Sequence, residues 1–295
     1  MGMSVWGVGL WTAVALGVLL ALGAALQFIG SRHWAGLVHA DLSRLESLGG
    51  QGLDPARPAP CYDARELQGL PAPVARYFRT VLKDGQPLIA AVYIDLVGKL
   101  NLSVKGEQWK PFTARQRVVS RRPGFLWDAR VQMAPLVATH VKDSYIEGQG
   151  RLLARLLGLF TVARLEGGGD IASGELMRWF AEAVWYPTAL LPSQGVRWAG
   201  LDEGSAVATI ADGPVRLSLV FRFDAAGLIA SVHAEARGAD SGQGRVMLPW
   251  DCTVSAYRWH QGMLLPTHAE AAYHRPGGRK SYFVAKVQAL SVSFQ

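Results

Sequence analysis

Thirteen consecutive residues, Val92 to Val104, place apolar Val92, Ile94, Leu96, Leu100, Leu102 and Val104 in alternation with Tyr93, Asp95, Lys99, Asn101 and Ser103. Successive side chains of a strand point to opposite faces, so period two over this length marks a strand with one buried face. The pattern recurs at Phe112 to Arg121, Phe125 to Met133, Ala138 to Ile146 and Leu152 to Leu165. After one helical interruption it returns at Ser205 to Ile210, Val215 to Phe223, Leu228 to Arg237, Arg245 to Trp259, Leu264 to His274 and Tyr282 to Phe294. Turn signals such as Lys105-Gly106-Glu107, Ala211-Asp212-Gly213 and His260-Gln261-Gly262 join several of these runs. Hairpin succession of this kind predicts an α+β, mainly β fold: one large antiparallel sheet, curved and half-barrel-like, with packed helices.

Ahead of the strands, Val5 to Ile29 carries no charged residue. As a helix rising about 1.5 Å per residue it would reach roughly 37 Å, longer than a hydrocarbon core of about 30 Å. No Lys or Arg precedes it and it exceeds the h-region of a signal peptide, so a retained transmembrane helix is expected. Arg32 and Arg44 follow it, too small a bias to assign the side of the membrane that the domain occupies. The organisation expected is an anchor over 1–31, a juxtamembrane helix and proline-rich linker over 32–63, and a single sheet domain over 64–295. A first helix is expected at Pro73 to Leu82 and a central helix at 173–186.

The 30 basic and 23 acidic residues give a net charge of +7, which suits an anionic membrane surface. No basic run exceeds Arg121-Arg122 and no aromatic-basic motif appears, so nucleic acid is not an expected partner. Cys61 and Cys252 allow one disulfide or two thiols. Gly167-Gly168-Gly169 lacks the Gly-Lys-Ser/Thr of a phosphate loop, and neither Gly-x-Ser-x-Gly nor His-Glu-x-x-His occurs.

Candidate chemistry concentrates on the central helix. Leu176, Met177, Phe180, Ala183 and Val184 form its apolar face, while Glu175, Arg178, Trp179, Glu182 and Tyr186 share the opposite stripe. Ion pairs of Arg178 with Glu175 and Glu182 would account for that stripe. In a cleft, Arg178 would instead hold a ligand anion, with Trp127, Trp179, Trp185 and Tyr186 lining the apolar part. Glu175 and Glu182 are the alternative acid and base of a hydrolase. A row of Arg115, Arg117 and Arg121, beside Asp128 and Arg130, reads as a lipid-headgroup site or as the wet face of the sheet. His268 and His274, flanking Glu270, lie about 20 Å apart on an extended strand, so no metal site and no cofactor is expected.

The segment GELMRWFAEAVWYPTALLPSQGVRW, Gly174 to Trp198, resembles a bacterial family of uncharacterised proteins often found behind an amino-terminal membrane segment. LPAPVARYF (Leu70 to Phe78), PFTARQ (Pro111 to Gln116), PGFLWDARV (Pro123 to Val131), GQGRLLARLLGLF (Gly148 to Phe160) and FRFDAAGLI (Phe221 to Ile229) extend the resemblance along the domain. It implies no established activity. The expected architecture is also similar to lipoprotein carriers, whose sheet and helices enclose an apolar pocket. The expected function is therefore a membrane-anchored, non-catalytic module for a lipid or amphipathic ligand, in the bacterial cytoplasmic (inner) membrane and crossing it once. An envelope hydrolase using Glu175 and Glu182, and a scaffold that binds another envelope protein, are the alternatives.

Overall fold

The computed structural model describes residues 5–50 and 60–295. Helix α1 spans Val5–Gly50 without interruption, so the expected anchor and juxtamembrane helix are one rod. Side chains of residues 5–10, 12, 13, 16, 19 and 20 lie outside the description, as does 51–59, the greater part of the expected linker. The membrane span expected at Val5 to Ile29 therefore falls in part on undescribed side chains. Among the described residues, no helix is long and apolar enough to cross a membrane.

A 3-10 turn at Ala64–Leu67 and helix α2 (Ala72–Val81) open the domain, with Pro73 inside the first turn of α2, where its missing N–H costs nothing. Six strands follow: β1 (Ile89–Asn101), β2 (Trp109–Val119), β3 (Gly124–Ala134), β4 (Val137–Ile146), β5 (Gln149–Leu156) and β6 (Phe160–Gly167). Then come helix α3 (Gly169–Glu182) and three 3-10 turns between Ala183 and Gln194. The second series is β7 (Arg197–Asp202), β8 (Ser205–Asp212), β9 (Val215–Phe223), β10 (Ile229–Asp240), β11 (Arg245–Ser255), β12 (Arg258–His260), β13 (Met263–Leu265), β14 (His268–Arg275) and β15 (Gly278–Phe294).

Thirteen strands form one antiparallel sheet in the order β6-β5-β4-β3-β2-β1-β15-β14-β11-β10-β9-β8-β7, while β12 and β13 make a separate hairpin. The sheet is open: β6 and β7 are its edges, and it does not close into a barrel. Several boundaries differ from expectation: the central helix, expected over 173–186, runs from Gly169 to Glu182 and is followed by a 3-10 turn, and the run Leu264 to His274 is divided between β13 and β14. The run Leu152 to Leu165 is two strands, split by a turn in which Leu157 (φ 54°) and Gly158 (φ 75°) are left-handed. The run Arg245 to Trp259 breaks before β12, at left-handed Ala256 (φ 56°). Strand β7 went unread because its residues are nearly all exposed, leaving no apolar alternation to see.

Helix α3 is the chain's route between the two edge strands, so it must cross the sheet face. Gly167 (φ 150°) and Gly169 (φ 56°) supply the sharp entry. Once there, α3 touches β3, β4, β5 and β6 on one side and β9 and β10 on the other. Leu176, Phe180, Ala183 and Val184 are buried as expected, but Trp179 and Tyr186 are buried too. The Tyr145 hydroxyl on β4 donates to Asp212 on β8 at 2.7 Å, joining the third and twelfth strands of the sheet. Tyr145→Phe should lower the unfolding free energy by roughly 1.5–3 kcal/mol in urea, as expected for a lost bond to a carboxylate; an unchanged midpoint would show that this strut carries no load.

The outer face of the same sheet takes the second half of α1. Val38, Leu42, Leu45 and Leu48 seat on Ala91, Val119, Leu126 and Ile146. Polar ties flank this contact: Lys142 Nζ to Asp41 at 2.6 Å, Trp34 Nε1 to Asp128 at 2.8 Å and Arg44 to Glu147 at 2.7 Å. Asp128, opposite Arg115 in the strand register, thus also serves the helix.

Candidate functional site

Between α3 and the sheet lies a pocket of about 710 Å³. Its walls are mostly apolar: Leu100 from β1 and Leu102 just beyond it, Trp127 from β3, Val141 from β4, Leu152 from β5, Leu165 from β6, and Trp250, Ala271 and Phe283 from the second series. Glu175, Arg178, Glu182 and Trp185 face it from α3 and the turn that follows. Apolar walls with few convergent polar groups are the usual character of a small-molecule site.

Of the residues singled out from the sequence, the structure brings Arg178, Trp127, Trp185, Glu175 and Glu182 to this pocket. Trp179 and Tyr186 lie in the core behind it. The Trp179 indole donates to Val119 O at 3.1 Å and the Tyr186 hydroxyl to Trp179 O at 2.5 Å, so neither presents a free surface. The cause is the sheet, which covers α3 on both flanks and leaves only part of the polar stripe open. Arg115, Arg117 and Arg121 are elsewhere. On β2 the inward residues are Phe112, Ala114 and Gln116, so Arg115 and Arg117 point to the outer face, where the Arg117 guanidinium lies 3.6 Å from the centre of the Tyr93 ring.

Arg178 is already engaged. Its Nη1 donates to Asp143 Oδ2 at 2.5 Å and its Nε to Glu182 Oε1 at 2.8 Å, while its guanidinium lies over Phe125 and Trp127. Gln116 Nε2 donates to the other Glu182 oxygen at 2.6 Å. Burial alone would depress the basicity of Arg178, but Glu182 and Asp143 hold it above its ordinary value. A guanidinium bound to two carboxylates is a structural tie first. The two carboxylates proposed as acid and base have different partners: Glu182 is bound by Arg178 and Gln116, whereas Glu175 faces Asp143.

Burial pushes Glu175 up to about 8, with the Asp143 charge adding to the shift and Arg237 and Arg178 opposing it. Glu175 Oε2 is buried and accepts no hydrogen bond. The neutral acid is the form that the site favours at pH 7. A carboxyl raised from 4.5 to about 8 stabilises the fold fully below pH 4.5, and that stability is lost as pH rises through 8. Glu175→Gln should therefore remain as stable as the parent at pH 5 and become more stable than it at pH 8 to 9, read by thermal unfolding. Parallel losses for both proteins across that range would mean that Glu175 is ionised throughout.

The polar group that sequence reasoning missed is Arg237. Its Nη1 donates to the Tyr273 hydroxyl at 2.8 Å, its Nε reaches Gly174 O at 3.3 Å, and its guanidinium sits 5.2 Å from the Trp250 ring centre. Among the described residues, it meets no carboxylate at ion-pair distance; its partners are neutral. Strict alternation from Val232 and Ala234 would send position 236 inward and Arg237 out. The bulge between Ala234 and Arg237, opposite Pro249, resets the register and turns Arg237 into the pocket. A matching shift around Tyr282 lets both Tyr282 and Phe283 line the wall. Cys252 is a buried thiol in the same wall, pushed up to about 12 by burial.

His268 and Glu270 do not join a metal-like group; Glu270 binds Arg279 and Ser281. His274 instead meets Asp251 and His233 on the outer face of β14, β11 and β10, with their candidate ligand atoms within 4.8 Å of one another. Both imidazoles hydrogen-bond to Asp251, and Arg279 Nε lies 3.6 Å from it. These partners came together across three strands, a proximity that spacing within one strand could not reveal.

Residues 68–292 match the model of a family of unknown function, DUF6920. No curated protein matches in sequence. Among solved structures, a LolA superfamily protein of Nitrosomonas europaea is similar at 8% identity, over 76% of this chain and 93% of that one, with a TM-score of 0.39. A beta-barrel-like protein of a domain of unknown function, DUF1849, from Brucella abortus is similar at 11% identity, over 70% and 99%, with a TM-score of 0.20.

Proposed function

The chain belongs to the DUF6920 family of unknown function, and from that premise we propose that it is a non-catalytic module, tethered to a membrane through α1, that binds a lipid or similar amphipathic molecule in the pocket beneath α3. The observation that carries this reading is the pairing of apolar walls with Arg237, a deep cation whose partners are all neutral. An acyl or other apolar body would lie along Leu100, Leu152, Trp127 and Phe283, and an anionic head would meet Arg237 with Tyr273 and Tyr282 beside it. A neutral Glu175 spares that head a nearby repulsive charge. In this reading the sheet acts as a half-barrel cradle and α3 as its lid.

The tether is supported by the uncharged run itself and by the exposure of its large side chains, among them Trp11, Leu22, Phe28 and Ile29. The membrane in this reading is the bacterial cytoplasmic membrane, crossed once, as the resemblance to bacterial proteins suggests. The test is lipid analysis of the full-length protein after exhaustive exchange into a non-ionic detergent. About one anionic amphiphile per chain should be retained, and Arg237→Gln should release it. Equal lipid content in both proteins would reduce the retained lipid to a coat around α1 and remove the pocket assignment.

A further inference from the structure

We propose that the end of the domain formed by the β1–β2, β3–β4 and β5–β6 turns sits in the surface of an anionic bilayer, so that the pocket opens directly onto lipid. This rests on the tethered, lipid-binding reading above and adds the orientation of the site.

Gly30 is the first residue after the uncharged run, and it packs backbone to backbone on the β5–β6 turn. A Cβ on Gly30 would fall 1.9 Å from Leu157 O, and one on Gly158 would fall 2.5 Å from Gly30 O. From there α1 runs along the outer face of the strands to Arg44, which reaches Glu147 in the β4–β5 turn at the other end. The strands thus stand alongside the helix. Where α1 leaves the bilayer, the β5–β6 turn is level with the lipid surface, and Leu157 N to Ala138 O at 2.9 Å ties the β3–β4 turn to it.

The residues at this end fit such a surface. Leu136 (φ 61°) and Leu157 (φ 54°) occupy left-handed positions, which glycine or asparagine fills with less strain. Leu136 is 74% exposed, and Phe160 and Val162 on the neighbouring strand are 56% and 59% exposed. Strained leucines and an exposed phenylalanine around the exit of an apolar helix have one chemistry in common, contact with acyl chains. Cations lie close by: Arg155, in contact with His33 at 2.6 Å, and Lys280, whose ammonium reaches Gly106 O in the β1–β2 turn at 2.5 Å. Their place beside the apolar tips is the headgroup layer, where each basic residue favours anionic lipid.

The pocket opens at this same end. Its lining includes Leu100, Asn101 and Leu102 where β1 ends and Asp240 and Arg245 at the β10–β11 turn, which the strand register places at this end, whereas the opposite end carries the Tyr145–Asp212 strut. A molecule drawn from the bilayer would pass over Leu102 into the pocket without crossing water.

The full-length protein in vesicles of phosphatidylcholine and phosphatidylglycerol, doped with a phospholipid carrying a photoactivated carbene precursor in its acyl chain, tests this. Adducts are expected within residues 5–29 and also at Leu136 and between Leu157 and Phe160, mapped by mass spectrometry. Adducts confined to 5–29 would overturn the orientation and leave the tether standing. Absence of adducts from 5–29 would remove the tether and this inference with it.

Discussion

Arg178→Ala is expected to cost the fold about 3–5 kcal/mol, because it leaves Asp143 and Glu182 buried without their cation. The sequence pointed to Arg178 as the anchor for a ligand head; the geometry makes it the tie between α3 and β4. Urea unfolding of the variant should show a midpoint far below that of the parent. Combining Arg178→Met with Asp143→Asn and Glu182→Gln should recover much of the loss, since no uncompensated charge then remains in the interior. Wild-type stability of Arg178→Ala together with lost lipid retention would reverse the assignment and make Arg178 the receptor.

Arg237→Gln is expected to act on binding. A charged hydrogen bond contributes about 1.5–3 kcal/mol, which corresponds to a roughly 10- to 100-fold weaker affinity for an anionic amphiphile. Its neutral partners, Tyr273, Tyr282 and Gly174 O, are not left as buried charges, so the stability loss should be well below that of Arg178→Ala. Competition between a fluorescent fatty acid and its methyl ester separates the contributions. The parent should prefer the acid and Arg237→Gln should not; equal preference in both proteins would place the head elsewhere.

The strands were legible wherever one face is buried and the other wet, as along β1 and β2, because that division is written every second residue. The same rule concealed the site. Arg237 and Tyr282 enter the pocket through bulges, and a bulge leaves no compositional mark that separates it from an ordinary strand residue. The polar stripe of α3 was visible from helical spacing, but the division within it was not: Arg178 and Glu182 reach the pocket while Trp179 is sealed against Val119. That outcome depends on how far the sheet wraps each flank of the helix. The outer seat of α1 was half legible, since a juxtamembrane helix was expected over this segment without any indication of what its Leu42, Leu45 and Leu48 would cover.

Strand β15 lies between β1 and β14 and is the seam that joins the two strand series into one sheet. Synthesis delivers it after every other strand, so until it emerges from the ribosome β1 and β14 each present an unpaired ladder of amides and carbonyls. Once the second series is complete and until β15 emerges, the nascent chain carries two incomplete half-sheets, with α3 already bridging them. A stalled or clipped chain lacking residues 278–294 would then be exposed to strand exchange with its neighbours, and rapid proteolysis or chaperone capture of such fragments is the quality control that this topology demands.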